Sequence, residues 1–205
     1  MPRDEVWRAL TMPDRIREWF GWPYDGLDQE IQQIFVDGAR PVPPDRIELE
    51  GGQEIQLEDD GQRTIVRVVL ATPPDDKGWA GVYDVIEEGW TAFLEQLRFY
   101  LERHADGQRQ AVYLTGTSSS ARVLALLDAS AGQELFHRSR FQQMVVDRAG
   151  NLVGVTSKQS LRNVGSAPMT AMVTCYGLPE DAFAELRDDW IARWRSVADD
   201  VEINY

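Results

Sequence analysis

The chain has 205 residues, of which 43% are hydrophobic and 10% aromatic, and its formal net charge is −13. This composition is sufficient for a buried core and excludes a chain that stays disordered. The negative charge disfavours nucleic acid as a partner, and no apolar run reaches the length of a membrane-spanning helix. The single cysteine, Cys175, excludes a disulfide framework and a cysteine-based metal site. We therefore expect a cytoplasmic protein without a membrane or nucleic-acid partner.

The negative charge is concentrated in the first half of the chain. Residues 1–105 carry 22 acidic and 11 basic side chains, whereas residues 106–205 carry 12 and 10. An asymmetry of this kind between halves indicates separate structural units. We therefore predict two domains, 1–105 and 106–205.

The first half predicts short helices, then a sheet, then a long helix. Val6, Trp7 and Leu10 repeat at helical spacing, and Pro13 leads a second short helix. A strand is predicted around Ile31 to Val36, followed by the proline-rich loop ARPVPPD. Three strands of alternating apolar residues come next, with hairpin turns at Gly51-Gly52 and Asp60-Gly61.

The segment DVIEEGWTAFLEQLRFYLERH is the strongest helix prediction in the chain. Its apolar residues recur on one stripe, as expected for a helix that packs against a sheet. The stripe consists of Ile86, Trp90, Phe93, Leu94, Leu97, Leu101 and His104.

The second half repeats this order of elements. It predicts a strand at AVYLTG, a serine-capped helix at TSSSARVLALLDA with Ser118 or Ser119 as the cap, and a hairpin that turns at Ala149 to Asn151. A strand at PMTAMVTCYGL and an amphipathic helix at PEDAFAELRDDWIARWRSV complete it. Helices at the ends of antiparallel sheets define the α+β class, which is our prediction for both halves.

Two segments of the first half resemble a known family. They are VWRALTMPDRIREWFG, Val6 to Gly21, and GWTAFLEQLRFYLE, Gly89 to Glu102. Together they resemble the START-like (SRPBCC) superfamily, in particular the branch named for activators of the heat-shock protein 90 ATPase, over about residues 1–104. The resemblance implies a helix-grip fold, in which a curved antiparallel sheet wraps a long C-terminal helix around an apolar cavity. The element order of the second half favours a degenerate second unit of this fold, in tandem with the first.

One feature departs from the family pattern. Family members carry a β-strand before the VWxALT helix, and here only Met1 to Arg3 precede it. Either the strand is absent, or the true start lies upstream, or the strand Ala111 to Thr115 completes a sheet shared by the two halves. An unpaired sheet edge would otherwise be exposed.

The family cavity implies a small apolar or amphipathic ligand. Aromatic side chains of the first half are the available wall residues, although most of this aromatic surface is expected to be core. The candidate ligand-binding residues are Trp19, Trp22, Tyr24, Phe35, Trp79, Tyr83, Trp90 and Phe93.

The sequence predicts no catalytic residue, metal ligand or cofactor. The two histidines, His104 and His137, come from separate halves, and the run TSSSA lacks the glycine that a nucleophile elbow needs two residues after Ser118. An enzyme of the polyketide cyclase type would require a buried acid or tyrosine, for which Glu88 and Tyr83 are the nearest candidates. Non-catalytic ligand binding is therefore the favoured function, with chaperone regulation and cyclase-like catalysis as alternatives.

A basic cluster in the second half is the remaining candidate site. Between His137 and Arg162 the only acidic residue is Asp147. This segment either docks against the acidic first half or binds an acidic partner protein or an anionic ligand. The candidate partner-binding residues are Arg138, Arg140, Lys158 and Arg162.

Overall fold

A computed structural model describes residues 1–69, 80–103 and 107–205, and for 80–85 and 131–133 it describes the backbone alone. The chain forms two compact units, one of Met1–Gly21 with Asp25–Asp106 and the other of Trp22–Tyr24 with Gly107–Tyr205. Each unit contains one antiparallel sheet and helices, which is an α+β architecture. No helix in the described ranges is long and apolar enough to cross a membrane.

The first unit contains a four-stranded antiparallel sheet. Three short helices precede the strands in the chain, and one long helix follows them. The sheet order is β1-β2-β3-β4. Its elements are α1 (Arg3–Thr11), α2 (Pro13–Ile16), α3 (Leu27–Ile31), a π-helical segment (Gln32–Asp37), β1 (Ala39–Val42), β2 (Arg46–Leu49), β3 (Glu54–Asp59), β4 (Thr64–Val69) and α4 (Ala80–Arg103). The predicted turns are confirmed, since Gly51, Gly52 and Gly61 all have positive φ angles. Such angles favour glycine because a side chain would be strained there.

The predicted strand around Ile31 to Val36 is wrong, because this segment is helical. It contains the end of α3 and the π-helical segment. Leu27, Ile31 and Phe35 are buried at a spacing of four residues, which places them on one face of a helix. The proline-rich loop prediction is also wrong at its start, since Ala39–Val42 is strand β1, which pairs with β2. Pro41 is tolerated there because β1 lies at the sheet edge.

The long helix α4 is confirmed, but its buried surface is wider than a single stripe. Leu97 and Leu101 of the predicted stripe are buried. Phe99 and Tyr100, which lie outside the stripe, are 0% and 1% exposed. The C-terminal half of α4 is therefore enclosed on more than one face. Leu70 and His104 lie outside the described residues.

The second unit is a six-stranded antiparallel sheet packed against two helices. The sheet order is β10-β5-β9-β8-β7-β6. Its elements are β5 (Arg109–Ser119), α5 (Ser120–Ser130), β6 (Ala131–Arg138), β7 (Gln142–Asp147), β8 (Leu152–Ser157), β9 (Ser166–Tyr176), α6 (Glu180–Val197) and β10 (Asp199–Asn204). One sheet face packs on α6 through Trp190 and Trp194. The predicted hairpin is confirmed, with Gly150 in its turn at a φ of 88°.

Strand β5 lies inside the sheet of the second unit. Its neighbours are β10 and β9. The strand Ala111 to Thr115 therefore does not complete a sheet shared by the two halves, and this alternative is wrong. Strand β10 is one of the elements that the sequence does not predict, as are β1 and β6. Val201 and Ile203 are the residues of β10 that pack against the core, and two alternating apolar residues are too short a pattern to predict a strand.

Of the two serines predicted to cap α5, Ser119 is at the capping position and Ser118 is not. The Ser119 hydroxyl accepts a long hydrogen bond of 3.5 Å from the Arg122 amide. Ser118 is instead buried and donates to the Val197 carbonyl oxygen at 2.5 Å. Ser118 therefore fixes the end of α6 rather than the start of α5.

Candidate functional site

A groove of about 540 Å³ lies in the first unit, between β4, α4 and the start of α1. Its wall is mostly aliphatic. The turn before β4 and the helix α4 contribute polar side chains to it. The groove is lined by Met1, Val6, Arg63, Thr64, Ile65, Val66, Thr91, Leu94, Glu95, Leu97, Arg98, Leu101 and Glu102. We call this the β4–α4 groove.

The sequence builds this groove from two periodic patterns. Leu94, Leu97 and Leu101 are spaced by three and four residues, so they lie on one face of α4. In β4 the neighbouring residues Ile65 and Val66 both reach the groove, although they point to opposite faces of the sheet. This is possible because β4 is an edge strand.

Three of the four charged residues that line the groove, Arg63, Glu95 and Arg98, have partners of opposite sign. Arg98 forms an ion pair with Glu95 at 2.8 Å, and Arg63 forms one with Asp60 at 3.0 Å. The backbone amides of Gln62 and Arg63 lower the pKa of Asp60, which closes the turn between β3 and β4. Directly after this turn, the Thr64 hydroxyl donates to the Met1 carbonyl oxygen at 3.1 Å. The polar margin of the groove is therefore ordered and carries both signs of charge.

The predicted aromatic wall residues of the first unit lie together. Trp19 and Phe35 are in its core, and Trp90 and Phe93 beside them are partly buried. Trp19 and Phe35 are 0% and 5% exposed, with ring centroids 5.9 Å apart. Phe35 also contacts Trp90, which contacts Phe93, both at 6.4 Å. Phe20 joins them through Phe35 at 4.9 Å. None of these five rings is among the residues that line the β4–α4 groove.

The remaining predicted wall residues are elsewhere. Trp22 and Tyr24 belong to the short segment that is part of the second unit, and they are 38% and 41% exposed. Trp22 stacks on Tyr113 with ring centroids 5.3 Å apart. Burial raises the pKa of Tyr113, and a hydrogen bond with Thr170 partly offsets this. Trp79 and the side chain of Tyr83 lie outside the described residues.

The described part of the chain contains no cluster of three or more metal-ligating side chains. The described groups with a shifted pKa are Asp60, Tyr113 and Cys175, and none of them lines the β4–α4 groove. His137 is half-buried in β6. The groove offers an apolar surface with charged residues at its margin.

Burial makes Cys175 an inert thiol. It is 2% exposed, its Sγ donates to the Gln110 carbonyl oxygen at 3.4 Å, and burial raises its pKa to about 12. A free thiol has a pKa of about 8.5, and the thiolate is the reactive form. We therefore expect the folded protein to leave a disulfide reagent such as dithionitrobenzoate unreacted at mildly alkaline pH, and the urea-unfolded protein to react at once. Rapid reaction of the folded protein would contradict the buried position.

The four basic residues predicted as a partner site are exposed and share one end of the second sheet. Arg138 is the last residue of β6, Arg140 lies in the turn between β6 and β7, and Lys158 and Arg162 lie in the loop after β8. The Leu161 amide donates to the Arg140 carbonyl oxygen at 2.9 Å, which holds this loop beside the turn.

Comparisons with protein-family models, curated proteins and solved structures gave no match to this chain. The START-like resemblance therefore rests on the two segments Val6 to Gly21 and Gly89 to Glu102. The structure shows antiparallel strands followed by a long helix in each unit, which is an α+β architecture compatible with a helix-grip fold.

Proposed function

We propose that the first unit is a START-like helix-grip domain that binds a small apolar or amphipathic molecule without transforming it. The observation that carries this proposal is the β4–α4 groove, which lies between the sheet and the long helix. Ligand sites are concave, mostly apolar and usually about 300–1,000 Å³ in volume. At about 540 Å³ the groove is within this range.

The distribution of polar groups favours an amphipathic ligand. Ile65, Val66 and Leu94 supply aliphatic surface, and burying a ligand's apolar part against it contributes about 25 cal/mol per Å². Glu95 and Arg98, which are on the same helix, supply a polar contact for a head group. A ligand with one apolar and one polar end satisfies both surfaces.

The second unit supports a tandem arrangement of the same fold. It begins with a strand and a helix, continues with four antiparallel strands, and then forms the long helix α6. That helix packs on the sheet through its predicted apolar face, which includes Phe183, Trp190 and Trp194. A helix that packs on a sheet in this way is the arrangement expected of a second helix-grip unit.

Two groove variants and one matched control test the ligand proposal. Val66→Glu places a charge in the groove wall, and Leu94→Trp fills the groove while keeping it apolar. Val69→Glu makes the same change as Val66→Glu on the same strand, at a residue that is 41% exposed and outside the groove. With a dansyl-labelled fatty acid as the probe, we expect both groove variants to lose about tenfold or more in affinity, or 1.4 kcal/mol.

Native mass spectrometry of the protein purified from its own source identifies the natural ligand. We expect an adduct that organic denaturation releases. The proposal fails if the probe binds the wild type and both groove variants with equal affinity, while circular dichroism shows that the variants are folded. It fails also if the probe does not bind the wild type and no adduct is found.

A further inference from the structure

Four basic side chains form a surface at one end of the second sheet. We call Arg138, Arg140, Lys158 and Arg162 the basic end. Arg138 ends β6, Arg140 lies in the turn that joins β6 to β7, and Lys158 and Arg162 lie in the loop that joins β8 to β9. All four side chains are exposed.

Backbone hydrogen bonds fix the two connections next to each other. The Ser157 amide donates to the Phe141 carbonyl oxygen, and the Leu161 amide donates to the Arg140 carbonyl oxygen, both at 2.9 Å. The Ser139 hydroxyl accepts the Phe141 amide at 3.0 Å and holds the turn. The charges of the basic end are therefore placed by the folded backbone.

The charge of the basic end is not compensated by its own unit. Among the described residues, none of the four side chains has an ion pair, whereas Arg187 and Arg193 of α6 are paired with aspartates. Between Leu135 and Tyr176 the only acidic residue is Asp147, which lies at the opposite end of β7. Its carboxylate accepts the amides of Ala149 and Asn151. An uncompensated positive surface favours an acidic partner segment short enough to contact this surface alone.

The neighbouring side chains favour protein over nucleic acid. Val164, two residues after Arg162, is 96% exposed. Proteins that bind single strands stack bases on accessible aromatic rings. The aromatic ring at this end, Phe141, is only partly exposed, and the Arg140 guanidinium lies over it at 5.0 Å. The net negative charge also repels an extended polyanion.

We propose that the basic end binds an acidic segment of a partner protein. Carboxylates of this segment pair with Arg138, Lys158 and Arg162, and an aliphatic side chain of the segment contacts Val164. Charge pairs at the rim of an interface set the association rate and its salt dependence, and an apolar contact between them adds affinity that salt does not weaken.

The test uses the full chain and a fluorescein-labelled peptide of repeated Glu-Glu-Leu units, with fluorescence anisotropy as the measurement. We expect salt-dependent binding, and no binding of the matching Lys-Lys-Leu peptide. The double variant K158E/R162E is expected to weaken binding by about tenfold or more. The control is R148E, which reverses an exposed arginine at the opposite end of β7 and is expected to leave the affinity unchanged. Val164→Ser is expected to weaken binding without changing its salt dependence.

Several results would overturn this proposal. One is the absence of binding of the Glu-Glu-Leu peptide at low salt. Another is an equal loss of affinity in R148E and K158E/R162E, because the effect would then come from net charge rather than from the basic end. A third is tighter binding of a labelled oligothymidylate of equal charge, which would assign the basic end to nucleic acid.

Discussion

Replacement of Trp19 by alanine is expected to lower the free energy of unfolding of the first unit by about 3–5 kcal/mol. Trp19 is fully buried, and its indole Nε1 donates to the Ala9 carbonyl oxygen at 2.8 Å. Its ring also lies edge-on to Phe20 and Phe35, at 5.8 and 5.9 Å. Truncation therefore removes the ring contacts and leaves the Ala9 carbonyl without its donor, and both losses destabilise the unit.

The second unit has an equivalent residue, and the same loss is expected there. Trp194 is also fully buried, and its Nε1 donates to the Thr115 carbonyl oxygen at 3.0 Å. Urea titration followed by circular dichroism measures both variants. Because the chain has two units, the unfolding curve can contain two transitions. We then expect Trp19→Ala and Trp194→Ala to shift different transitions to lower urea concentration.

Trp22→Ala is the control for these two variants. Trp22 is 38% exposed and stacks on Tyr113, a contact worth about 0.5–1.5 kcal/mol beyond burial. We expect a smaller shift than for either buried tryptophan. If Trp19→Ala shifted the transition of the first unit by no more than Trp22→Ala shifts that of the second, Trp19 would not be a core residue of the first unit.

Trp19 shows why the sequence identifies a buried face more readily than a binding site. The helical spacing of Ile16, Trp19 and Phe20 correctly indicates a face that points inward. The spacing cannot say what that face meets, whether packed side chains or an open cavity. Trp19 could therefore be proposed as cavity wall from its residue type alone, and the structure places it among packed rings.

The lining of the β4–α4 groove also shows that a sequence pattern identifies inward-facing residues but not the open space beside them. Leu94, Leu97 and Leu101 belong to the predicted stripe of α4, so their inward direction is readable from the sequence. A leucine stripe is the usual pattern of core packing, and nothing in it marks a groove. Whether such a stripe borders open space depends on the distance between α4 and β4, which is a tertiary property.

The basic end was accessible to sequence analysis because charge needs no knowledge of packing. A stretch with several cations and one acid is visible in the chain itself.

The prediction of a strand around Ile31 to Val36 is wrong because it follows residue type alone, and β-branched and aromatic residues favour strands in general. The spacing of Leu27, Ile31 and Phe35, which fits one helix face, was the stronger signal.

Gly116 of β5 is the second position where we expect a large effect. A Cβ atom built on Gly116 would lie 2.8 Å from the Asp199 carbonyl oxygen, 3.1 Å from the Ala198 Cβ and 3.3 Å from the Trp194 Nε1. The first of these contacts is with backbone, so the chain at the end of α6 would have to move. Overpacking of this kind lowers the free energy of unfolding by about 1–3 kcal/mol. We expect a larger loss for Gly116→Val than for Gly116→Ala, because valine is the larger side chain.

The corner between α6 and β10 has little freedom to move away. The hydroxyl of Ser118 and the guanidinium of Arg122 donate to the carbonyl oxygens of Val197 and Ser196, at 2.5 and 2.8 Å. Asp200 already has a positive φ of 51°, which is unusual for a residue other than glycine. A displaced corner would lengthen these hydrogen bonds and strain this backbone further.

Gly154 of β8 is the matched control for Gly116, because it is a strand glycine of the same sheet. A Cβ atom there would meet only the Met144 side chain, at 3.3 Å or more, and a methionine can adjust its rotamer. Thermal unfolding of Gly116→Ala and Gly154→Ala compares the two positions under identical conditions. We expect the melting temperature to fall clearly in Gly116→Ala and to change little in Gly154→Ala. Equal melting temperatures would mean that the end of α6 and the start of β10 can shift at little cost. The unpredicted strand β10 would then be only loosely held, since Ala198 and Asp199 connect it to α6.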